Sequence, residues 1–192
     1  MNYYEDDDII DLRLSLTKAC DQGDFNKVKE LLTSTKLKDV IKINHNNYLL
    51  AACLSNNVDI VRYFFTSDTI KNYNDLGADS DYELLLSCNG NHLDVVKFLL
   101  ESDDVENKPN IHYKDDLIFN NTLFRKQVEL LEYLIFDLKI EKTEGIQRRL
   151  NNNKNDIEFN KQVAKWFEIR DLEKDLKDNL VSDNKNNTKI KL

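Results

Sequence analysis

Three cysteines (Cys20, Cys53, Cys88) and three histidines (His45, His92, His112) are the residues best suited to metal or nucleophilic chemistry here. A zinc site needs about four thiolates or imidazoles on one centre. The cysteines stand 33 and 35 residues apart, and no two histidines share a metal-binding spacing. Cys88 and His92 are four residues apart, but Asn89-Gly90-Asn91 between them reads as a turn, so they do not share a helix face. No histidine stands beside a serine or cysteine in a catalytic motif. A free cysteine at a recurring position reads instead as a small buried side chain. Helices stack at about 10 Å, which would hold such thiols too far apart for one zinc. The expectation is therefore no catalytic residue, no metal, no cofactor and no enzyme activity.

Charge points the same way. The acidic clusters Glu5 to Asp8 and Asp103-Asp104 could imitate a nucleic-acid backbone, but read more simply as solvated charge. Arg148-Arg149 and the lysines of the tail are few, and a net charge of −8 opposes binding to phosphate. No nucleic-acid partner is expected. Nor is a membrane, since the longest apolar run, Tyr48 to Leu54, is seven residues.

Each cysteine lies in the same frame. Ala19-Cys20-Asp21-Gln22-Gly23-Asp24-Phe25 leads to Val28 and Leu31-Leu32. Ala52-Cys53-Leu54-Ser55-Asn56-Asn57-Val58 leads to Ile60-Val61 and Phe64-Phe65. Ser87-Cys88-Asn89-Gly90-Asn91-His92-Leu93 leads to Val95-Val96 and Leu99-Leu100. A further step of 35 reaches Leu123, followed by Val128 and then Leu130-Leu131 and Leu134-Ile135. A period near 33 marks a stacked helical repeat.

The elements follow from periodicity. Leu12 to Gln22 reads as a first helix, broken by Gly23-Asp24, where glycine can turn left-handed and aspartate can cap the next helix. Phe25 to Ser34 places Phe25, Val28, Leu31 and Leu32 on one face. Tyr48 to Leu54 and Val58 to Phe65 form the second pair, with Asn56 in the glycine's place. Tyr82 to Asn89 and Leu93 to Glu101 form the third. Pro109 belongs to a connection. Asp116 to Leu123 and Gln127 to Leu138 form the fourth, across a turn, Phe124-Arg125-Lys126, that has neither glycine nor asparagine. Glu144 to Leu150 and Asp156 to Arg170 read as a degenerate fifth pair, with Lys161-Gln162-Val163 echoing Lys126-Gln127-Val128. Leu172, Leu176 and Leu180 suggest an added terminal helix.

The expected organisation is an acidic flexible lead over 1–8, a repeat array over 9–181, and a disordered tail over 182–192. Repeat boundaries fall at about 9–43, 44–76, 77–111 and 112–142, with a capping unit over 143–181. One proline and four glycines in 192 residues disfavour a loop-rich or all-β protein. Cysteines tied to a repeat do not form a disulfide framework, which favours a reducing, intracellular and cytoplasmic setting. The chain start lacks the basic and apolar segments of a signal peptide.

The frame resembles the ankyrin repeat. The family's Ala-Ala pair is met by Ala19-Cys20, Ala52-Cys53 and Ser87-Cys88, and its Gly-His turn by Gly23-Asp24, Asn56-Asn57 and Asn91-His92. The paired outer-helix residues above complete the match, and Leu76-Gly77-Ala78-Asp79 is similar to the family's finger segment. The family's Thr-Pro-Leu-His start is replaced by Leu14 to Thr17, Asn47 to Leu50, and Tyr82 to Leu85. In style the chain resembles divergent members from large DNA viruses, intracellular bacteria and protists, which would imply a host-directed role. The resemblance implies an all-α solenoid of about four to five repeats. Its function would be non-enzymatic protein–protein interaction, with an adaptor or inhibitor that is a monomer and captures a protein on its concave face. The matching positions are Asn44, Asn46, Leu54 and Ser55; Asp79, Asp81, Asn89 and Gly90; and Lys114, Asp116, Phe124 and Arg125. His92 would be structural. A different class of function is a structural or assembly subunit that self-associates through an apolar end repeat around Trp166 and Phe167.

Overall fold

A computed structural model describes residues 7–33, 47–68, 70, 80–152 and 156–189, the side chains of 80 and 182–189 excepted. Among the described residues there are helices and turns but no strand. The chain divides into two units, Met1–Asn121 and Thr122–Leu192.

The first unit holds α1 (Asp7–Asp21), α2 (Phe25–Leu32), α3 (47–54), α4 (Val58–Thr66), α5 (Ser80–Asn89), α6 (Leu93–Glu101) and most of α7 (Tyr113–Phe124). Each hairpin is closed by one left-handed residue: Gly23 (φ 67°), Asn56 (φ 56°) or Asn91 (φ 59°). In the first and third hairpins two backbone bonds close the helix end. Asp24 N donates to Ala19 O at 2.9 Å and Gly23 N to Cys20 O at 3.2 Å, while His92 N donates to Ser87 O at 2.9 Å and Asn91 N to Cys88 O at 3.0 Å. This paired closure is the Schellman motif, which satisfies carbonyls that a helix end leaves open.

The next residue starts the outer helix. Asp24 Oδ1 accepts from Lys27 N at 3.0 Å, and Asn57 Oδ1 accepts from Ile60 N at 3.0 Å. The same residues tie one repeat to the one before it. Asn57 Nδ2 donates to Gly23 O at 3.0 Å, and His92 Nε2 donates to Leu54 O at 3.0 Å. Beneath these turns lies the core: Leu16, Cys20, Val28 and Leu32, then Tyr48, Ala52, Cys53, Ile60, Val61 and Phe64, then Leu84, Cys88, Val95, Val96 and Leu99. Phe25 and Leu31, expected on the same inward face, are only half-buried. Phe25 instead meets Tyr63 edge-on at 5.6 Å, with the Lys29 ammonium 4.0 Å from its ring centre.

α1 begins at Asp7, five residues before the expected start at Leu12. Its acidic first turn, Asp7 and Asp8, complements the positive end of the helix dipole. α7 opens unexpectedly. Lys114, Asp115 and Asp116 are all left-handed (φ 47°, 55° and 62°) before the right-handed turns begin. Each such residue costs about 1–2 kcal/mol. The cost is offset where His112 Nδ1 meets Asp116 Oδ1 at 2.5 Å and Asn120 Nδ2 donates to Asp115 O at 3.2 Å.

The second unit contains the end of α7, α8 (Val128–Glu132) running into a π-turn (Tyr133–Asp137), α9 (Glu144–Asn152) and α10 (Ile157–Lys189). The turn without glycine or asparagine is built like the others. Lys126 takes the left-handed place (φ 55°), with Lys126 N on Leu123 O and Gln127 N on Thr122 O, each at 3.1 Å. Leu123 is 2% exposed at the position the cysteines hold earlier. α9 and α10 occur where the fifth pair is expected, but the Lys161-Gln162-Val163 echo lies within α10 and makes no turn. α10 also continues without a break through the proposed terminal helix. It remains helical to Lys189, across most of the stretch whose composition suggests disorder.

Gly90 offers a direct test of the latch between repeats. A Cβ there would lie 2.3 Å from His92 Nε2. Gly90→Ala should therefore lower stability by about 1 kcal/mol, the worth of a displaced hydrogen bond, despite alanine's better helix propensity. Asn91→Gly, which relieves a left-handed side chain, should raise stability by about 0.5–1 kcal/mol. Urea denaturation of both variants measures the two signs.

Candidate protein-binding surface

The turns also define a recurring surface position. Two residues before the left-handed residue stand Asp21, Leu54, Asn89 and Phe124 in the four turns. The side chain there leaves the last turn of the inner helix. Leu54 is 50% exposed and Phe124 66%, so both lie outside the core. Leu54 is fixed by its own carbonyl, which accepts from His92 of the next repeat. Its neighbour Ser55 turns its hydroxyl back to Ala52 O at 2.9 Å. Asn89 Oδ1 accepts from Asn121 Nδ2 at 3.1 Å, so this amide is half-buried and engaged.

Other expected site residues divide by environment. Asp81 is half-buried and accepts from Asn110 N at 2.6 Å, anchoring the loop that contains Pro109. Gly90 is exposed beside the His92 ring. Lys114 is exposed, with its ammonium 4.8 Å from the Tyr113 ring centre. Asp116 is different: only 3% exposed, its carboxylate serves the strained start of α7 rather than the surface. Arg125 is exposed and forms no ion pair among the described residues. Beside it, Lys126 pairs with Asp156 at 2.5 Å. Asn44, Asn46 and Asp79, with His45 and the Leu76-Gly77-Ala78-Asp79 segment, lie outside the described residues.

Sequence reasoning missed Tyr82, 47% exposed on the first turn of α5, and Val128, 45% exposed at the start of α8. For Tyr82 the signal was available: it stands where the family places a polar residue at the start of the inner helix. Around Trp166 and Phe167, where an apolar end contact is one expectation, the two rings differ in burial, and Trp166 is half-buried. Phe167 is fully buried, and Trp166 packs on Phe136 at 6.3 Å between ring centres. The Arg170 guanidinium lies 5.0 Å from the Phe167 ring centre and donates to Ile140 O at 2.6 Å.

The cysteines are buried in the repeat core. Burial pushes each thiol up to about 12. For Cys53 a hydrogen bond with Ser87 pulls the other way, and the charge of buried Glu83 pushes further up. A thiol held protonated is neither nucleophile nor metal ligand. No group of three or more metal-ligating side chains converges among the described residues. None of their helices is long and apolar enough to cross a membrane.

Two outcomes follow for the thiols. In native protein at pH 8 all three should resist a thiol reagent and react together on unfolding. Their folded-state pKa lies above the ordinary value of 9.0, so their contribution is intact below pH 9. It is lost between pH 9 and 12, at up to roughly 1.4 kcal/mol per pH unit per thiol. Cys88→Ala should show a shallower alkaline loss in denaturation measured across that range.

With this geometry in view, comparison with known families gives one assignment. A family model for ankyrin repeats, in three copies, matches residues 16–115, just over half of the chain. Comparisons with curated proteins and with solved structures gave no match. Ankyrin repeats generally mediate protein–protein interaction. The first three turns, their buried small-residue pairs and their paired outer-helix residues fall within that stretch, and the chain belongs to the ankyrin-repeat family.

Proposed function

We propose that the chain is a non-enzymatic protein-binding module whose contact residues include the exposed ends of its inner helices. One observation carries this reading: the same repeat position holds a half-exposed leucine, Leu54, and a largely exposed phenylalanine, Phe124. Apolar side chains surrounded by polar ones are the usual anchors of an interface. Leu54 sits on backbone already fixed by His92, which lowers the entropy lost on binding. Arg125 adds an exposed cation beside Phe124, suited to a carboxylate of the partner. Ser55, Asp81, Asn89 and Lys114 are further candidate contacts, as are Asn44, Asn46 and Asp79, which lie outside the described residues.

An adaptor or inhibitor working inside a cell is the setting this reading favours. Three free cysteines support it, being consistent with a reducing compartment.

The test is affinity capture with quantitative mass spectrometry, comparing the wild type with Leu54→Asp/Phe124→Asp. Both substituted residues are exposed, so the variant should fold, and protection of its three thiols checks this. The reading expects a specific protein bound by the wild type and reduced at least about tenfold in the variant, the cost of losing one anchor. Equal recovery by both proteins would defeat it.

A further inference from the structure

α10 changes the face it uses. Up to Phe167 its buried apolar side chains are Val163 and Phe167, both at 0% exposure. Four apolar residues from Ile169 to Leu180 lie on the opposite side. Ile169, Leu172, Leu176 and Leu180 are 47%, 62%, 63% and 64% exposed. At about 100° per residue their steps of three, four and four keep them on one narrow stripe, roughly 17 Å long at 1.5 Å per residue. No described residue of the second unit buries it. The inward side of this segment is polar: Lys174 and Lys177 line a groove of about 780 Å3 with Phe136 and Ile140.

The borders of the stripe carry one sign. Glu173 lies along one edge, Glu168 and Asp175 along the other, and all three are exposed. None of the three forms an ion pair among the described residues. The cations of the segment stand elsewhere, with Arg170 bound to Ile140 O and Asp171, and Lys174 and Lys177 on the groove. In a paired helix these border positions select the partner through charge. A second copy packed in parallel would bring Glu168 against Glu173 of its mate. An antiparallel copy would bring Glu168 against Asp175. Like charges oppose both arrangements, and an anionic lipid surface meets the same repulsion.

We infer that the Ile169–Leu180 stripe is a docking surface for an amphipathic helix of another protein, one that carries lysine or arginine on both sides of its apolar seam. This surface is separate from the inner-helix ends and does not depend on that reading. Leucines of the incoming helix cover Leu172 and Leu176, and its cations meet Glu168, Glu173 and Asp175. The overall charge of −8 assists the encounter.

The probe is a pair of synthetic helical peptides with the same leucine seam, bordered by lysine in one and glutamate in the other. Binding to the full chain is followed by fluorescence anisotropy at low and at physiological salt. The lysine peptide should bind at least about tenfold more tightly, and salt should narrow the gap. Leu172→Asp/Leu176→Asp should lose that binding while keeping its thiols protected. Glu168→Lys/Glu173→Lys/Asp175→Lys should prefer the glutamate peptide. Lysine-peptide binding that survives the leucine changes would be mere charge attraction and would overturn the inference, as would a charge-reversed variant with unaltered preference. Sedimentation showing a wild-type dimer lost in the leucine variant would assign the stripe to a second copy. Leucine-dependent binding to phosphatidylserine vesicles would assign it to a membrane. Either result rejects the basic helix.

Discussion

The structure depends on a turn in which one residue accepts the left-handed backbone and the next reaches back along the array. That turn closes the inner helix with two backbone bonds, starts the outer helix, and in two cases bonds to the preceding repeat. A helix of eight to ten residues is marginal alone. Each pair persists because its ends are capped and its apolar face is stacked on a neighbour, so capping and stacking are one constraint here. The small side chains at Ala19-Cys20, Ala52-Cys53 and Ser87-Cys88 belong to the same constraint. They lie in the closing turn of the inner helix, and all six are buried.

The same constraint occupies the residues best suited to chemistry. Cysteine serves as a small apolar side chain, and burial removes its reactivity. His92 spends a ring nitrogen on Leu54 O, and His112 spends one on Asp116. Stacking also leaves apolar positions uncovered, in a chain otherwise rich in charge.

The repeat, its helices and three of its four turns were legible because cysteine spacing and turn residues mark them. Lys126 was not, since lysine has no preference for the left-handed region; the backbone bonds of the closing turn impose it. The start of α7 was hidden for the same reason, because side-chain contacts such as His112 with Asp116 and Asn120 with Asp115 O accompany the left-handed backbone there. That also removed Asp116 from the surface. Phe124 is 66% exposed, two residues before the left-handed Lys126. For Trp166 and Phe167 periodicity gives the helix an apolar face without saying toward what it points. Leu172, Leu176 and Leu180 were seen as a helix, but not as one that continues α10 while reversing its apolar side.

The π-turn at Tyr133–Asp137 deserves a last consequence. Leu138 N reaches Tyr133 O at 2.9 Å, five residues back, and Ile140 N reaches Leu134 O at 3.0 Å, six back. Such a wide turn takes one residue more than an α-turn, and so behaves as an insertion that the helix has absorbed. It advances the phase of everything after it, as a skipped beat shifts a rhythm. Tyr133, Leu134 and Ile135 can therefore all be buried in succession, where a regular helix would send one outward. The chain's length can change at this point without disturbing either cap, and beyond it the spacing of 35 no longer predicts where a turn will fall.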